Sequence, residues 1–581
     1  MFPRPRPDPM KIIVAKNAGF CMGVKRALEM VLDRSARDRT EIVTYGPLIH
    51  NPQVVDLLAR KGIRSSRDFS DFRPGRIGFI SAHGISPAVR GMLKAGGAAV
   101  CDASCPDVVK VQGIIRRCAG EGMSTVIFGD RGHSEVEGLL GFTEGRGHVV
   151  GSPAEAESLP PLDRVCLVSQ TTQNEEEFAA IAQCLRRRAQ EVRVFPTICP
   201  STRSRQADLH GLLSRIDALV VVGGKNSANT ARLARISFLR GIPAFRVETA
   251  DDLPMDEIGK FDAVGVTAGA STPNWLIQGV VDRLRDWSWR RRPAPLRWAQ
   301  GALTIVVKAN LFIALGAAAL TLAAQTLMGI PAAALPILLS FSAVLGIYNL
   351  NILADQAAIL LNQPSRYLFF RSHRSPILMV SVASLLLSFL IGARLGTLPL
   401  LLVLFTLLLG LSYSFQILPR PFPRRRLKDI PGSKEIFSSL GWGTLTVLIP
   451  LYSCADPLRY PFAPLVAFAF VFIIMFVRST LLDIRDMQGD RMVGRETIPV
   501  IIGKEKTKVL IAAANIFLAA LVTVATARKW APPSGYLFLP VIAYGFLYLY
   551  LYHRRVLFQD LLHEVVVDGK LLLAGVMALL A

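Results

Sequence analysis

The stretch KNAGFCMGVKRA, residues 16–27, follows a short apolar run and contains Cys21. Two further stretches repeat this arrangement, CDASCPDVVKV around Cys105 and FPTICPSTRSRQ around Cys199. Three thiolates that converge from separate segments can hold three of the four irons of a cubane iron–sulfur cluster and leave the fourth iron open to a substrate. We therefore expect the fold to bring these three segments together.

The first half of the chain, from residue 10 to about residue 286, alternates short apolar runs with charged helical stretches. This alternation predicts parallel α/β units, in which ligand-binding groups lie on loops beyond the carboxyl ends of the strands. The strand candidates are KIIVA, EIVTYG, RIGFISAHG, STVIFGD, RVCLVSQTT, ALVVVGG and AVGVTAGAS. The loops that follow them carry His83, His133, Glu135, Thr171, Ser227, Asn229 and Ser271.

Histidines and small donors after glycine-rich turns can surround a phosphate or diphosphate, because backbone and side-chain donors approach it without obstruction. Each such residue also has a simpler interpretation. A single Ser or Asn after a strand is usually a helix cap, and a single His is usually structural. The repetition of such loops beside three cysteines favours a diphosphate site.

Residues 10 to about 285 resemble the 4-hydroxy-3-methylbut-2-enyl diphosphate reductase family in nine ordered blocks. The blocks are GFCMGVKRA, HNPQVVDLL, SAHG, DASCP, GHSEVEG, SQTT, ICPSTRSRQ, VVGGKNSAN and GVTAGAS. The resemblance implies three α/β units around a central [4Fe–4S] cluster bound by Cys21, Cys105 and Cys199. It also implies that electrons from a ferredoxin- or flavodoxin-type protein convert 4-hydroxy-3-methylbut-2-enyl diphosphate to isopentenyl and dimethylallyl diphosphates.

The same resemblance implies roles for residues of the site. Glu135 would deliver protons, and Thr171 would contact the substrate hydroxyl near the cluster. The residues implied to hold the diphosphate are His50, His83, His133, Ser227, Asn229 and Ser271. Where the family commonly has a second serine before the asparagine, this chain has Ala228, which removes one hydroxyl donor.

The composition argues against other classes of protein. The net charge of +22 lies mostly in the second half, where Lys and Arg outnumber Asp and Glu by 28 to 12 from Trp287 onward, so we expect no nucleic-acid partner. Seven of the eight cysteines lie in the first half, and no signal-peptide pattern precedes them. Reduced thiols in the cytoplasm are therefore favoured over a disulfide framework.

Hydropathy divides the chain into an extension that is disordered or precedes a start at Met10 (1–9), the reductase-like domain (10–286), a basic and aromatic linker (287–302) and a membrane domain (303–581). Nine apolar runs in the last segment are candidate membrane-spanning helices. They lie at 303–328, 331–351, 377–392, 397–418, 436–453, 461–480, 509–526, 536–552 and 563–581.

Positive charge predicts the orientation of these spans. If the first half is cytoplasmic, about 19 Lys and Arg fall in the cytoplasmic loops and about 4 in the opposite ones. We therefore expect a multi-pass protein of the inner membrane with its reductase-like domain in the cytoplasm.

Asp483, Asp486 and Asp490 are spaced by three and four residues, so they share one helical face beside the membrane. Carboxylates in that arrangement repel one another unless a cation lies between them. Mg²⁺ together with a diphosphate fits this pattern, and a solvated loop is the alternative.

This stretch and the pattern of spans resemble the UbiA superfamily of membrane prenyltransferases across residues 297 to 581. Tyr413 and Ser414, with the basic PRRRLKDIPGSKE stretch after them, resemble the segment between its two aspartate-rich motifs. The first motif retains Asn351 and Asp355 but has Ile352 and Ile359 in place of two acids. The resemblance implies a Mg²⁺ and prenyl diphosphate site whose ligands are Asn351, Asp355, Asp483, Asp486 and Asp490.

The sequence therefore predicts an isoprenoid diphosphate reductase joined to a prenyltransferase in contact with membrane lipid. In one alternative, favoured by Ile352 and Ile359, the membrane half is only an anchor or a prenyl-lipid binder. In another, the first half is an iron–sulfur electron carrier, which the diphosphate-binding residues disfavour.

Overall fold

The structure, a computed structural model, describes residues 10–38, 40–225, 227–414, 430–455, 459–553 and 560–581. The chain forms two compact units that divide between Arg292 and Pro293. The predicted extension 1–9 and residues 415–429, which hold much of the segment between the two aspartate motifs, lie outside the described residues.

The first unit contains three four-stranded sheets in which all neighbouring strands are parallel. The strands are β1 (Lys11–Val14), β2 (Ile42–Tyr45), β3 (Ile63–Ser66), β4 (Ile77–Ile80), β5 (Ala99–Asp102), β6 (Ser124–Phe128), β7 (Gly147–Val150), β8 (Arg164–Ser169), β9 (Glu191–Val194), β10 (Ala218–Val222), β11 (Ala244–Val247) and β12 (Ala263–Ala268). Their orders are β1-β12-β10-β11, β3-β2-β4-β5 and β7-β6-β8-β9. This arrangement confirms the predicted α/β domain of three units.

Helices connect the strands of the first unit. They are α1 (Met22–Arg37), α2 (Pro52–Ala59), α3 (Pro87–Ala95), α4 (Pro106–Gly120), α5 (Ser134–Leu140), α6 (Pro153–Glu157), α7 (Glu175–Arg186), α8 (Pro200–Leu213), α9 (Ala228–Leu239), α10 (Met255–Ile258) and α11 (Asn274–Arg290). Each sheet is covered by helices on its faces, as expected for parallel sheets. In β10, Leu219 and Val221 pack in one apolar cluster, while Val220 and Val222 pack in another.

The seven predicted strands are β1 and the six central strands of the three sheets, β2, β4, β6, β8, β10 and β12. The strands that the sequence did not indicate are the edge strands β3, β5, β7, β9 and β11. Each has four residues and is only partly buried, because an edge strand has one neighbour. Their apolar runs are correspondingly short.

The second unit is helical. Its helices are α12 (Ala294–Lys308), α13 (Leu311–Met328), α14 (Ala334–Ala354), α15 (Gln356–Asn362), α16 (Pro364–Ser372), α17 (Arg374–Leu395), α18 (Thr397–Ser414), α19 (Ser433–Gly443), α20 (Ile449–Ser453), α21 (Ala463–Val493), α22 (Ile498–Ile502), α23 (Lys504–Ala527), α24 (Leu539–His553) and α25 (Asp560–Leu579). A π-helical turn, Thr444–Leu448, joins α19 to α20.

Within the described residues, seven helical segments are long and apolar enough to cross a membrane. They correspond to seven of the nine predicted spans, and the second unit is a multi-pass membrane domain. The other two predictions correspond to α18, whose apolar part Thr397–Ser412 is shorter, and to α25, which carries charged side chains. The first span begins later than predicted, because the left-handed backbone of Asn310 (φ 62°) separates α12 from α13.

Candidate active site and membrane cavity

Three cysteines lie at equivalent places in the three sheets of the first unit. Cys21, Cys105 and Cys199 follow the edge strands β1, β5 and β9, and they are the N-caps of α1, α4 and α8. The Val24 N–H donates to Cys21 Sγ at 3.4 Å, and the Thr202 N–H donates to Cys199 Sγ at 3.3 Å. Because a helix N-terminus favours negative charge, these positions suit thiolates.

The three thiols lie near one another. A Cβ atom added to Gly23 would lie 2.6 Å from Cys105 Sγ, so the first turn of α1 touches Cys105. Burial raises the pKa of the Cys105 thiol to about 11 and also raises that of Cys199, and the nearby Cys21 adds to both increases. Unpaired, half-buried thiols are the soft ligands that an iron–sulfur cluster requires, so these residues fit the cluster.

A site for a single metal ion has different requirements from a cluster site. No group of three or more His, Cys, Asp or Glu side chains among the described residues is arranged to hold one metal ion. A cluster is larger than one ion, and its cysteine ligands contact different irons. The chemistry and the common location of the three thiols therefore suit a cluster, and a single ion does not fit them.

The central strands of the three sheets lead to the other predicted residues. His50 and His83 follow β2 and β4, His133 and Thr171 follow β6 and β8, and Ser227 and Ser271 follow β10 and β12. Since the carboxyl ends of parallel strands meet at one edge of each sheet, the three sheets present these side chains on equivalent loops.

His50, His83 and His133 form a triangle. The ring centroids are 4.4 Å apart for His50 and His83, 5.3 Å for His50 and His133, and 5.7 Å for His83 and His133. Burial lowers the pKa of all three, to about 4 for His133, and neighbouring rings lower it further for His83 and His133. The rings are therefore neutral near pH 7, and His50 Nε2 is buried with no hydrogen-bond partner among the described residues.

Small polar side chains complete this region. The Ser271 hydroxyl donates to the His50 carbonyl at 2.9 Å. Ser227 is the N-cap of α9, where its hydroxyl accepts from the Thr230 N–H at 3.4 Å. Asn229 is buried, and its Nδ2 has no hydrogen-bond partner among the described residues. Buried donors without an acceptor are costly, so these groups fit a site that holds an anion.

Glu135 is buried against Thr171. Its two carboxylate oxygens accept hydrogen bonds from the Thr171 N–H at 2.7 Å and from the Thr171 hydroxyl at 3.0 Å. Burial raises the pKa of Glu135 to about 7, although the bonds from Thr171 oppose that increase. The Glu135 N–H donates to His133 Nδ1 at 3.2 Å, and the Cys199 N–H donates to the Thr171 carbonyl at 3.0 Å. The carboxyl group thus connects the histidine triangle to a cysteine loop.

Two buried or nearly buried arginines were not singled out from the sequence. Arg205 donates to the Ala268 carbonyl at 2.7 Å, and the charges of Cys21 and Cys199 act on it. Arg232 donates to both oxygens of Asp130, at 3.1 and 3.0 Å. A signal was present for the first one, because Arg205 interrupts the buried stripe of α8.

A cavity of about 250 Å³ lies in the second unit. Asn351, Asp355 and Asp486, all predicted from the sequence, line it. The predicted Asp483 and Asp490 are fully buried outside its lining. Ile352 and Ile359 also line the cavity, so the two acids missing from the first motif are missing from the site itself.

Basic and amide side chains contact each carboxylate of the predicted metal site. Asp355 pairs with Arg495, Asp483 pairs with Lys434, Asp486 accepts from Arg485 Nε at 2.7 Å, and Asp490 accepts from Asn362 Nδ2 at 2.9 Å. One oxygen of Asp483 and one of Asp490 have no hydrogen-bond partner among the described residues. Such oxygens suit Mg²⁺, which commonly takes one or two carboxylates and completes its coordination with phosphate oxygens and water.

The fold and these sites define the class of protein: an α/β domain with three free cysteines near one another, continued by a helical membrane domain. The LytB protein family model matches residues 12–285, and the UbiA prenyltransferase family model matches residues 311–559. A 4-hydroxy-3-methylbut-2-enyl diphosphate reductase of Opitutus terrae is 45% identical over 286 residues, which are 47% of this chain and 99% of the relative. The chain belongs to the 4-hydroxy-3-methylbut-2-enyl diphosphate reductase family and carries a UbiA domain after the reductase domain.

Solved structures are similar to each half. An E-1-hydroxy-2-methyl-but-2-enyl-4-diphosphate reductase from Plasmodium falciparum is 29% identical with a TM-score of 0.45, covering 47% of this chain and 88% of that one. An apo UbiA homolog from Aeropyrum pernix is 17% identical with a TM-score of 0.37, covering 46% of this chain and 98% of that one.

Proposed function

We propose that residues 10–286 reduce 4-hydroxy-3-methylbut-2-enyl diphosphate to isopentenyl and dimethylallyl diphosphates. The reaction consumes two electrons and two protons and releases water. The observation that carries this proposal is the Glu135–Thr171 pair, which connects His133 to the loop of Cys199. A proton donor, an anion site and thiol ligands for a redox group meet at that place.

Cys21, Cys105 and Cys199 would hold a [4Fe–4S] cluster. When bound, the cluster supplies electrons and a Lewis-acidic iron to the substrate oxygen. The neutral histidines, with Ser227, Asn229 and Ser271, would hold the diphosphate by hydrogen bonds. This anchoring orients the substrate with its hydroxyl end toward Thr171.

Glu135 then acts as the proton donor. A carboxyl group with a pKa of about 7 is half protonated at neutral pH, so it can release a proton to the departing hydroxyl and be reprotonated readily. Thr171 holds the carboxyl oxygens in place through two hydrogen bonds. A ferredoxin- or flavodoxin-type protein would supply the electrons.

Anaerobic purification of the full chain tests this proposal. We expect one cluster per chain and conversion of the substrate by a chemical reductant to the two five-carbon diphosphates. If the cluster-loaded chain leaves the substrate unchanged, the proposed activity is wrong.

For residues 303–581, after the linker 287–302, we propose prenyl transfer in the membrane. The cavity supports this, because Asn351, Asp355 and Asp486 line it. Asp483 and Asp490, which lie outside the lining, would be further Mg²⁺ ligands after exchanging their contacts with Lys434 and Asn362. An anchor or lipid binder is less favoured, since it gains nothing from ionisable side chains around a cavity. The bias of Lys and Arg supports a reductase domain in the cytoplasm, at the inner membrane.

A further inference from the structure

A further ionic pair faces the membrane cavity, apart from the predicted metal ligands. Arg478 of α21 and Asp568 of α25 both line the cavity, and they are 9% and 5% exposed. Arg478 Nη2 donates to Asp568 Oδ2 at 3.0 Å, and Nε donates to the other carboxylate oxygen. The guanidinium and the carboxylate therefore form a two-bond pair.

The helices place this pair at a different depth from the metal ligands. Arg478 precedes Arg485, the partner of Asp486, by seven residues of α21, a distance of about 10 Å along the helix. Glu564 of α25 contacts Arg485. Asp568 lies four residues after Glu564, about 6 Å further along the helix. The pair is thus displaced along the cavity from the end that holds Asp486.

An aromatic pair also lines the cavity. Tyr348 lies one helical turn before Asn351 on α14. The Trp442 Nε1–H donates to the Tyr348 hydroxyl at 3.1 Å, and Trp442 also lines the cavity. The cavity that holds the ionic pair therefore also offers aromatic side chains.

Charges buried in a membrane protein are costly, and apolar packing can replace a buried pair without loss of stability. A pair that also faces a cavity is better explained by a ligand. Asp568 already balances the charge of Arg478, so a further anion would leave an unbalanced charge in the membrane interior. A neutral hydroxyl group fits, because it can donate to the Asp568 carboxylate and accept from the Arg478 Nη1, which makes no hydrogen bond within the described residues.

We propose that Arg478 and Asp568 form a second subsite, which binds the hydroxyl group of a neutral, membrane-soluble acceptor. This role rests on the proposed prenyl transfer. In that step the bond between the prenyl C1 and the diphosphate oxygen breaks, and the acceptor oxygen forms a new bond to C1. The diphosphate leaves with the electron pair, and the hydroxyl proton passes to the Asp568 carboxylate.

The test uses the full chain in lipid nanodiscs and three probes: para-nonylphenol, its methyl ether, and farnesyl diphosphate with Mg²⁺. The double variant Arg478→Gln/Asp568→Asn removes both charges and so leaves no unpaired charge. We expect the parent to bind the phenol about tenfold or more tightly than the ether, since the ether has no proton to donate. The double variant should lose this preference but bind farnesyl diphosphate within about twofold of the parent.

Equal binding of the phenol and the ether by the parent would overturn the subsite. So would a double variant that keeps the preference and only melts at a lower temperature, because the pair would then be a structural link between α21 and α25. Absence of farnesyl diphosphate binding in the parent would contradict the transferase function, whereas the phenol preference would still decide the subsite.

Discussion

At the scale of single residues, burial sets the charge of the reductase site before any ligand arrives. His83 and His133 are neutral because burial and neighbouring rings lower their pKa, while burial raises the pKa of Glu135 to about 7. In the proposed reaction, the site would therefore offer uncharged donors to the diphosphate and a partly protonated acid to the leaving hydroxyl. Both conditions suit a reaction near pH 7.

Binding of an anion beside the histidines should reverse part of their pKa depression. A diphosphate favours the imidazolium forms, so the complex takes up protons and its affinity rises as the pH falls from about 8 toward 6. Calorimetry in buffers of different ionisation enthalpy measures this uptake. Identical heats of binding in all buffers would contradict this proton uptake. His210→Gln, away from the histidine triangle, is the control and should take up protons as the parent does.

Replacement of Glu135 by Gln should slow turnover by about 10²-fold or more, because the positioned proton donor is lost while its shape is kept. In the parent, kcat should fall as the pH rises through about 7, where the acid loses its proton. The pH profile of the residual activity should lose that step. Glu157→Gln, exposed on α6, should leave both kcat and the profile unchanged.

Cys105→Ser should lose the cluster, as measured by iron content and visible absorption of the anaerobically purified full chain. A serine hydroxyl is a poor substitute for a thiolate as an iron ligand. Cys101→Ser, at a half-buried position on β5, the strand before Cys105, should keep full iron content. Normal iron content in the Cys105 variant would show that Cys105 is not a ligand of the cluster.

At the scale of secondary structure, each cluster ligand depends on the start of a helix. The N-termini of α1, α4 and α8 face the same region, so their dipoles act together on the charge of the thiolates. Gly23 permits this approach, because any larger side chain at position 23 would meet Cys105. The packing of helices and the chemistry of the ligands are therefore coupled.

Gly23→Ala tests that coupling. The added Cβ would lie 2.6 Å from Cys105 Sγ, so either α1 or the thiol must move, and we expect lower iron content. Gly113→Ala on α4 is the matched control, because no atom lies within 4 Å of its added Cβ. It should keep the iron and raise the free energy of unfolding by up to about 1 kcal/mol. Equal iron content in the two variants would show that the close approach is unimportant.

At the scale of the whole molecule, the chain combines two proposed sites for isoprenoid diphosphates that differ in charge. The reductase domain offers neutral histidines and small donors. The membrane domain offers carboxylates paired with basic side chains, as in Asp355–Arg495 and Asp483–Lys434. Mg²⁺ is proposed for the second site alone, and Mg²⁺ dependence would therefore separate the two sites in the intact protein.

Binding of farnesyl diphosphate to the full chain should therefore contain a component that requires Mg²⁺. Asp486→Asn should weaken that component by about tenfold or more, because the carboxylate facing the cavity is lost. Glu505→Gln, exposed on α23, is the control and should bind as the parent does. Equal binding by the parent and the Asp486 variant, with or without Mg²⁺, would contradict the metal site.

The sequence by itself determined the two-part architecture and much of both sites. Long apolar runs identified the membrane domain, and the central strands, apolar on both faces, identified the α/β domain. The predicted site residues of the first half lie in the loops or at the helix starts that follow strands predicted by the alternation, apart from the two cysteines that follow β5 and β9. Such features can be predicted from the sequence because a strand or a membrane span is defined by consecutive residues.

Tertiary structure alone decided which side chains meet. The triangle of His50, His83 and His133 joins loops from two sheets, and Glu135 meets Thr171 across 36 residues of sequence. In the membrane domain, Arg478 pairs with Asp568 across 90 residues. No periodicity reports such contacts, because they depend on how separate elements pack. The charge state of each group follows in turn from that packing, through burial and neighbouring charge.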